Sequence, residues 1–231
     1  MRIVLTGGIA CGKSTFAKFL AEFGIRFLDA DDVVHELEGV GGAAVAALVE
    51  RFGEGIKAAD GSINRRALAA NVFADSAARH DLESILFPEV RKRLLDFIGR
   101  GRCPQRPVGL WPVENNRPCP LPMANDQQPL TNGGIRLVII PLLFESHWES
   151  DYDIIICIAS PRETQIERMM RMRGYTREQA EARLKAQLPV TEKMARADYT
   201  VMNDSTAEHL KDEAIRLVCW LKEKIKDERR S

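Results

Sequence analysis

The stretch Gly7-Gly8-Ile9-Ala10-Cys11-Gly12-Lys13-Ser14, followed by Thr15, constrains this chain more than any other. It fits G-x-x-x-x-G-K-[ST] without a mismatch. A glycine-rich pattern is permissive by itself, so its context decides. Before it, Ile3-Val4-Leu5 is a short apolar, partly β-branched run that reads as a buried strand. After it, Phe16, Phe19, Leu20 and Phe23 recur at i, i+3, i+4 and i+7, one face of a helix. Strand, glycine loop and helix in that order suit a phosphate. Glycines let backbone N–H groups close around phosphate oxygens, and the helix N-terminus adds its partial positive charge. Lys13 would reach the β- and γ-phosphates, and Ser14 would hold Mg²⁺.

The chain has 231 residues, room for one sizeable domain with appendages. Lys plus Arg equals Asp plus Glu, 33 each, so charge gives no support to a nucleic-acid or bulk membrane partner. Cys11, Cys103, Cys119, Cys157 and Cys219 are scattered and odd in number, with no C-x-x-C pair. That argues against a disulfide framework or a zinc site and for a reducing compartment. No apolar run approaches a transmembrane span, and the first strand begins too early for a signal or transit peptide. The expected localisation is cytoplasmic.

Gly24 is a plausible helix stop, and Ile25 to Leu28 reads as a second strand, giving a βαβ unit and a parallel sheet. Asp29, Asp31 and Asp32 fall where that strand ends, the side of an open α/β sheet that faces ligands. Asp29 and Asp31 are therefore expected near the phosphates; the alternative is an acidic turn in which Asp caps the next helix. The later apolar strands, Leu137 to Ile140 and Ile154 to Ile158, end in Pro141 and Ala159 rather than Asp. Asp31 is then the best-placed carboxylate, and beside a nucleophilic hydroxyl it could act as general base.

Residues 33–98 read as mostly helical, with Pro88 as a break or kink. Such a block between the second and third strands suits a substrate-binding insert. His35, one turn past Asp31, is either its partner or polar surface. Arg65-Arg66 either binds phosphate or is solvated helix charge. Residues 99–134 hold seven of the eleven prolines and keep no period, so a long loop or disordered insertion is expected. Order returns with the strand Leu137 to Ile140, and Glu145 just past its end is a candidate for the site. Ser160 reads as an N-cap with Pro161 at the first helical position. Arg168, Arg171 and Arg173 follow on that helix, and Thr176-Arg177-Glu178-Gln179 is a capping box opening a second one. Helix, basic turn, helix is the shape of a lid whose arginines close over a phosphoryl group; Arg168 is the favoured residue. Tyr199-Thr200-Val201 is a last short strand, and Ser205 caps a long terminal helix.

Together these residues resemble the dephospho-coenzyme A kinase family. The resemblance rests on Thr6-Gly7-Gly8-Ile9 with Gly12-Lys13-Ser14-Thr15, Asp29-Ala30-Asp31 with His35, and Asp60-Gly61-Ser62-Ile63-Asn64-Arg65 leading to Leu68 and Phe73. It continues in Pro141-Leu142-Leu143-Phe144-Glu145, Thr164-Gln165-Ile166-Glu167-Arg168, Ala182-Arg183 with Gln187, and Ala197-Asp198 with Asn203. It spans about 1–98 and 135–215. It implies transfer of the ATP γ-phosphate to the ribose 3′-hydroxyl of dephospho-CoA. The implied fold is α/β: a P-loop parallel sheet flanked by helices, with a helical substrate-binding insert and a helical lid. The implied single kinase domain covers 1–215, with a core of about 1–32, 135–165 and 190–231, a CoA-binding part of about 33–98 and a lid of about 165–189. By the same resemblance Asp31, Lys13, Arg168 and Thr6 are catalytic. Gly8, Ile9, Ala10, Cys11, Gly12, Lys13, Ser14, Thr15 and Asn203 contact ATP, with Ser14 on Mg²⁺. Asp31, His35, Arg65, Leu142 and Glu145 contact dephospho-CoA.

The chain departs from the family pattern in places. Phe87 stands where His commonly precedes the proline, and Met172 stands at the usual second lid arginine, between Arg171 and Arg173. Cys11 replaces a common Ser at a position where only backbone is expected to matter. The 99–134 insertion is not a family feature. Two other readings exist. Phe27-Leu28-Asp29-Ala30-Asp31 fits the F-x-D-x-D of shikimate-type kinases, but no Arg-Pro follows Gly133-Gly134. Asp96-Phe97-Ile98-Gly99 fits the D-x-x-G of nucleotide-binding switch proteins, but on a helical face, and no Asn-Lys-x-Asp element exists.

Overall fold

The structure is a computed structural model that describes residues 1–73, 75–99 and 134–228. Cys103, Trp111, Cys119 and almost all of the expected 99–134 insertion lie outside the described residues. The chain divides into two compact units: one gathers Met1–Phe27 with the described residues from 134 onward, the other is the described part of Leu28–Arg100.

The first unit is built on a five-stranded sheet. Its strands are β1 (Ile3–Gly7), β2 (Arg26–Asp29), β3 (Arg136–Ile139), β4 (Ile154–Ala159) and β5 (Tyr199–Met202), in the order β2-β3-β1-β4-β5. β1 runs parallel to β3 and β4, and β4 parallel to β5. Every residue of β1 and β4 is buried. That is why both read as continuous apolar runs, as strands covered on both faces do. β1 is central, so the glycine loop leaves from the middle of the sheet.

Helix α1 (Lys13–Glu22) buries Phe16, Ala17 and Leu20 in the same core as Leu210, Ala214, Leu217, Val218 and Leu221 of the terminal helix. Within the second unit lie α2 (Ala30–Leu37), α3 (Val45–Phe52), α4 (Arg65–Phe73) and α5 (Ser76–Ile98), and α5 packs against the other three. The first unit continues with α6 (Arg162–Arg173), α7 (Arg177–Lys185), α8 (Val190–Ala195) and the terminal α9 (Ala207–Glu228). No helix among the described residues is long and apolar enough to cross a membrane.

Three local expectations are corrected, and a fourth feature is placed. Pro88 does not break α5, which runs unbroken through it, with Leu86, Val90 and Leu94 buried on either side. That burial offsets the hydrogen bond a mid-helix proline removes. Ser160 is not the cap of α6; Pro161 takes that position and Ser160 is turned into the core. Thr206 rather than Ser205 caps α9, its Oγ1 accepting from the N–H of His209 at 3.2 Å. The D-x-x-G match ends in Gly99 at the C-cap of α5, with φ 87°, where glycine serves as a helix stop.

Candidate active site

The loop after β1 is shaped by close approaches that side chains would block. A Cβ on Gly7 would lie 2.1 Å from the carbonyl oxygen of Ile158 in β4. Gly12 has φ 90°, and a Cβ there would lie 2.3 Å from Asn203 Nδ2. Ala10, at φ 58°, adopts the left-handed region without being glycine, at a modest strain. Gly12 is the N-cap of α1 and offers no side chain, and no acidic residue occupies the first turn. The N-terminus of α1 therefore has no side-chain cap, the arrangement that receives an anion. Lys13 Nζ lies back over the loop, donating to the carbonyls of Gly7 at 3.1 Å and Gly8 at 2.8 Å. Ser14 and Thr15 are exposed at the start of the helix.

A buried polar network holds the loop from behind. Asn203, at the end of β5, donates from Nδ2 to the carbonyl of Cys11 at 2.9 Å. Its own carbonyl accepts from Ser160 Oγ at 2.7 Å and from Arg168 Nη2 at 3.2 Å, and Arg168 Nη2 also reaches Asn203 Oδ1 at 3.3 Å. The other nitrogen of that guanidinium donates to Ser160 Oγ at 3.0 Å and to the Ala10 carbonyl at 3.3 Å. Arg168 thus binds the loop directly, in addition to lying on the helix expected as a lid. Gln165, one turn earlier, donates from Nε2 to the Ser160 carbonyl at 2.9 Å. Its buried Oε1 has no hydrogen-bond partner among the described residues. Apolar contact adds to this: Ile9 and Ala10 pack on Ile166, Met169 and Ala180 of α6 and α7.

Cys11 departs from the expectation that only its backbone matters. Its side chain is fully buried in the main core, and burial pushes the thiol up despite nearby Lys13. Cys157 on β4 is likewise buried and pushed up to about 12, chiefly by burial. Both are protonated, unreactive core groups at neutral pH.

A second network sits beside the loop strand. Thr6 is fully buried, and its hydroxyl donates a long 3.5 Å hydrogen bond to the carbonyl of Pro141, just past β3. The same carbonyl accepts from Lys193 Nζ at 2.9 Å. Lys193 Nζ lies 2.7 Å from Glu145 Oε1, which also accepts from the N–H of Leu188 at 2.9 Å. Leu142, one residue past Pro141, is exposed. On α6, Thr164, Glu167, Arg168, Met170 and Arg171 line an open depression of about 560 Å³. Arg171, rather than Arg173 or Met172, thus shares a face with Arg168.

Asp31, His35 and Arg65 belong to the other unit. Asp29 is the N-cap of α2, its Oδ1 accepting from the N–H of Asp31 at 3.0 Å. The capping alternative therefore holds for Asp29, while Asp31 stands exposed on the first turn. Arg65 Nε pairs with the nearly buried Glu38 at 2.7 Å, and its Nη2 reaches the His35 carbonyl at 3.4 Å. His35, Arg65 and Arg79 border a cavity of about 380 Å³ whose walls are Val34, Leu68, Ala69, Val72 and Leu82.

Sequence reasoning missed Lys193 and Gln165 and misread Ser160. Each is a polar residue on a helix or at its edge, and only its burial distinguishes it from surface polarity.

The dephospho-CoA kinase family model matches residues 1–111 and 122–209. The match enters the Pro-rich stretch from both sides, so the segment outside the family pattern is 112–121, shorter than the 99–134 expected. A dephospho-CoA kinase of Anaeromyxobacter dehalogenans is 36% identical over 223 residues, covering 96% of this chain and 93% of that protein. A Thermus thermophilus protein of known crystal structure is 30% identical, with a TM-score of 0.70, covering 96% of this chain and 97% of the other. A dephospho-CoA kinase structure from Campylobacter jejuni, at 23% identity and a TM-score of 0.55 over 94% and 95% of the two chains, shares the fold. A phosphate loop braced by Arg168 and Asn203 on a central parallel strand, together with a match over most of the sequence, places the chain in one group: it belongs to the dephospho-CoA kinase family.

Proposed function

We propose that this chain transfers the γ-phosphate of ATP to the ribose 3′-hydroxyl of dephospho-CoA, releasing coenzyme A and ADP. The observation that carries the reading is the family match over 1–111 and 122–209, which includes the phosphate loop, Asp31 and Arg168. The braced loop supports the donor side. Its uncapped N–H groups suit phosphate oxygens, and Lys13 is within reach of the same loop through its bonds to Gly7 and Gly8.

In-line phosphoryl transfer needs positioning and charge neutralisation more than covalent chemistry. Lys13 is assigned to the β- and γ-phosphates, and Arg168 to the charge that builds on the transferred group. Arg168 keeps a fixed orientation through Ser160 and Asn203, which lowers the cost of holding it in place. Asp31 is assigned to orient the ribose hydroxyl and take its proton. Thr6 supports the loop strand from within the core. Ser14 fits a Mg²⁺ role: its exposed hydroxyl on the first turn is a hard oxygen, and Mg²⁺ takes most of its ligands from phosphate and water. When bound, Mg²⁺ supplies neutralisation of the phosphate oxygens.

On the acceptor side, the apolar walls and arginine border of the cavity at His35, Arg65 and Arg79 suit a long, weakly polar arm carrying phosphate. Leu142 and Glu145 are assigned to the same substrate. No nucleic-acid or membrane partner is assigned, and a cytoplasmic site of action fits an enzyme of soluble metabolites. The test is ADP release from purified protein with ATP and MgCl₂ across a panel of dephospho-CoA, shikimate and adenosine. Release with dephospho-CoA alone supports the reading; release with shikimate or another alcohol instead overturns it.

A further inference from the structure

Lys193 is a cation placed where cations are rarely found. It lies on α8, which packs on β4 and β1, and its side chain is 0% exposed. Burying an ammonium group is costly unless every bond it makes is good. Here it makes two: to Glu145 Oε1 at 2.7 Å and to the Pro141 carbonyl at 2.9 Å. Glu145 in turn uses the same Oε1 to hold the N–H of Leu188, where the chain returns from α7. Glu145 Oε2 is buried with no hydrogen-bond partner among the described residues.

The carbonyl that Lys193 holds is also the acceptor of Thr6 Oγ1, at 3.5 Å, and Thr6 is the residue before the loop glycine Gly7. With φ fixed by the ring, ψ of Pro141 sets the direction of its carbonyl, and the Lys193 ammonium at 2.9 Å helps to hold it. We propose that Lys193, held by Glu145, is a positioning residue: through the Pro141 carbonyl it fixes the Thr6 hydroxyl at the head of the phosphate loop, while Glu145 pins the returning end of α7 at Leu188. Lys193 itself reaches the reaction only through these contacts. The proposal rests on the kinase reading for its kinetic part, and on geometry alone for the rest.

The test is a double-mutant cycle between Thr6→Val and Lys193→Met, with Glu145→Gln as a milder second probe. Turnover of dephospho-CoA and the affinity for ADP are measured in parallel. If Lys193 acts through Thr6, each single variant lowers kcat about 10- to 100-fold with ADP affinity within about threefold, and the double variant falls little below Thr6→Val. Glu145→Gln, which keeps the side chain's size, lowers kcat about fivefold and shows the same non-additivity. Losses that multiply, or kcat unchanged in Lys193→Met and Glu145→Gln, overturn the positioning role. Amide hydrogen exchange separates this from failure of the kinase reading. Faster exchange at Leu188 in both Glu145→Gln and Lys193→Met is expected whatever the acceptor is; unchanged exchange there sinks the clamp even in an active enzyme. Should Lys193→Met not fold, the Glu145→Gln cycle and its exchange carry the test.

Discussion

The two units place polar groups in opposite ways. In the first, the groups around the loop are buried and bonded to one another: Thr6, Ser160, Gln165, Lys193 and Asn203 are all nearly or fully inaccessible. In the second, Asp31 and His35 are exposed, and the pairs made by Arg51 and Arg93 lie at the surface. Among the described residues there, only Glu38, beneath Arg65, is a buried charge. Buried hydrogen-bonded networks fix geometry and are costly to break, whereas exposed ion pairs contribute about 0–1 kcal/mol each. The loop of the first unit is thus held in advance by buried groups, and the cavity of the second is apolar with a few charged groups at its edge. Substitutions at Gly12 or Asn203 in the first unit should cost nucleotide binding and stability together, whereas those at Thr6 and Lys193 should cost turnover. Those in the second should cost turnover or acceptor affinity alone.

The largest expected effect on nucleotide binding is at Gly12. Gly12→Ala forces a Cβ to within 2.3 Å of Asn203 Nδ2 at a left-handed φ, so ADP affinity measured by calorimetry should fall about 100-fold or more. Near-normal binding would mean that the loop is not held as rigidly as its network implies. Next comes Asp31→Asn, for which kcat should drop about 10²- to 10⁴-fold while ADP affinity stays within about twofold. If binding and turnover fell together, the contrast between the units would fail at its most important residue. Asn203→Ala removes the donor to Cys11 and an acceptor of Arg168, and should raise the KM for ATP about tenfold with a lower Tm. Arg65→Ala should raise the KM for dephospho-CoA about fivefold and leave that for ATP unchanged. The smallest effect is chemical. With both thiols pushed up by burial, Cys11 and Cys157 should resist iodoacetamide at pH 8 in the folded protein and react only after unfolding, read by peptide mass spectrometry.

Much of the fold was legible because its signals are local. Apolar runs mark β1, β3 and β4, and each of the five strands begins and ends within about two residues of its expected bounds, the usual scatter of element ends. The glycine loop announced itself by spacing, and the Thr176 capping box by its two reciprocal bonds. What was not legible depends on long-range contact. Lys193 sits 52 residues from Pro141, and in sequence it is an ordinary Glu-Lys step on a short helix. Ser160 had the right neighbours for a cap, yet Asn203, 43 residues away, claims its hydroxyl. Cys11 looked like a backbone position because glycine loops bind through amides, and only the core behind the loop shows where its side chain goes. Pro88 looked like a break because propensity is a weak prior against packing on both sides. Asp29 and Asp31 could not be separated by type, and it is the hydrogen bond from the Asp31 N–H that makes Asp29 the cap.

The central claim is that this chain transfers the γ-phosphate of ATP to the ribose 3′-hydroxyl of dephospho-CoA. Mass spectrometry and phosphorus NMR of the product from purified protein, ATP, MgCl₂ and dephospho-CoA test it most directly. The account predicts one added phosphoryl group, on the ribose 3′-oxygen, formed by wild type and nearly absent with Asp31→Asn. An unphosphorylated dephospho-CoA, or a phosphate placed on another oxygen, would contradict it.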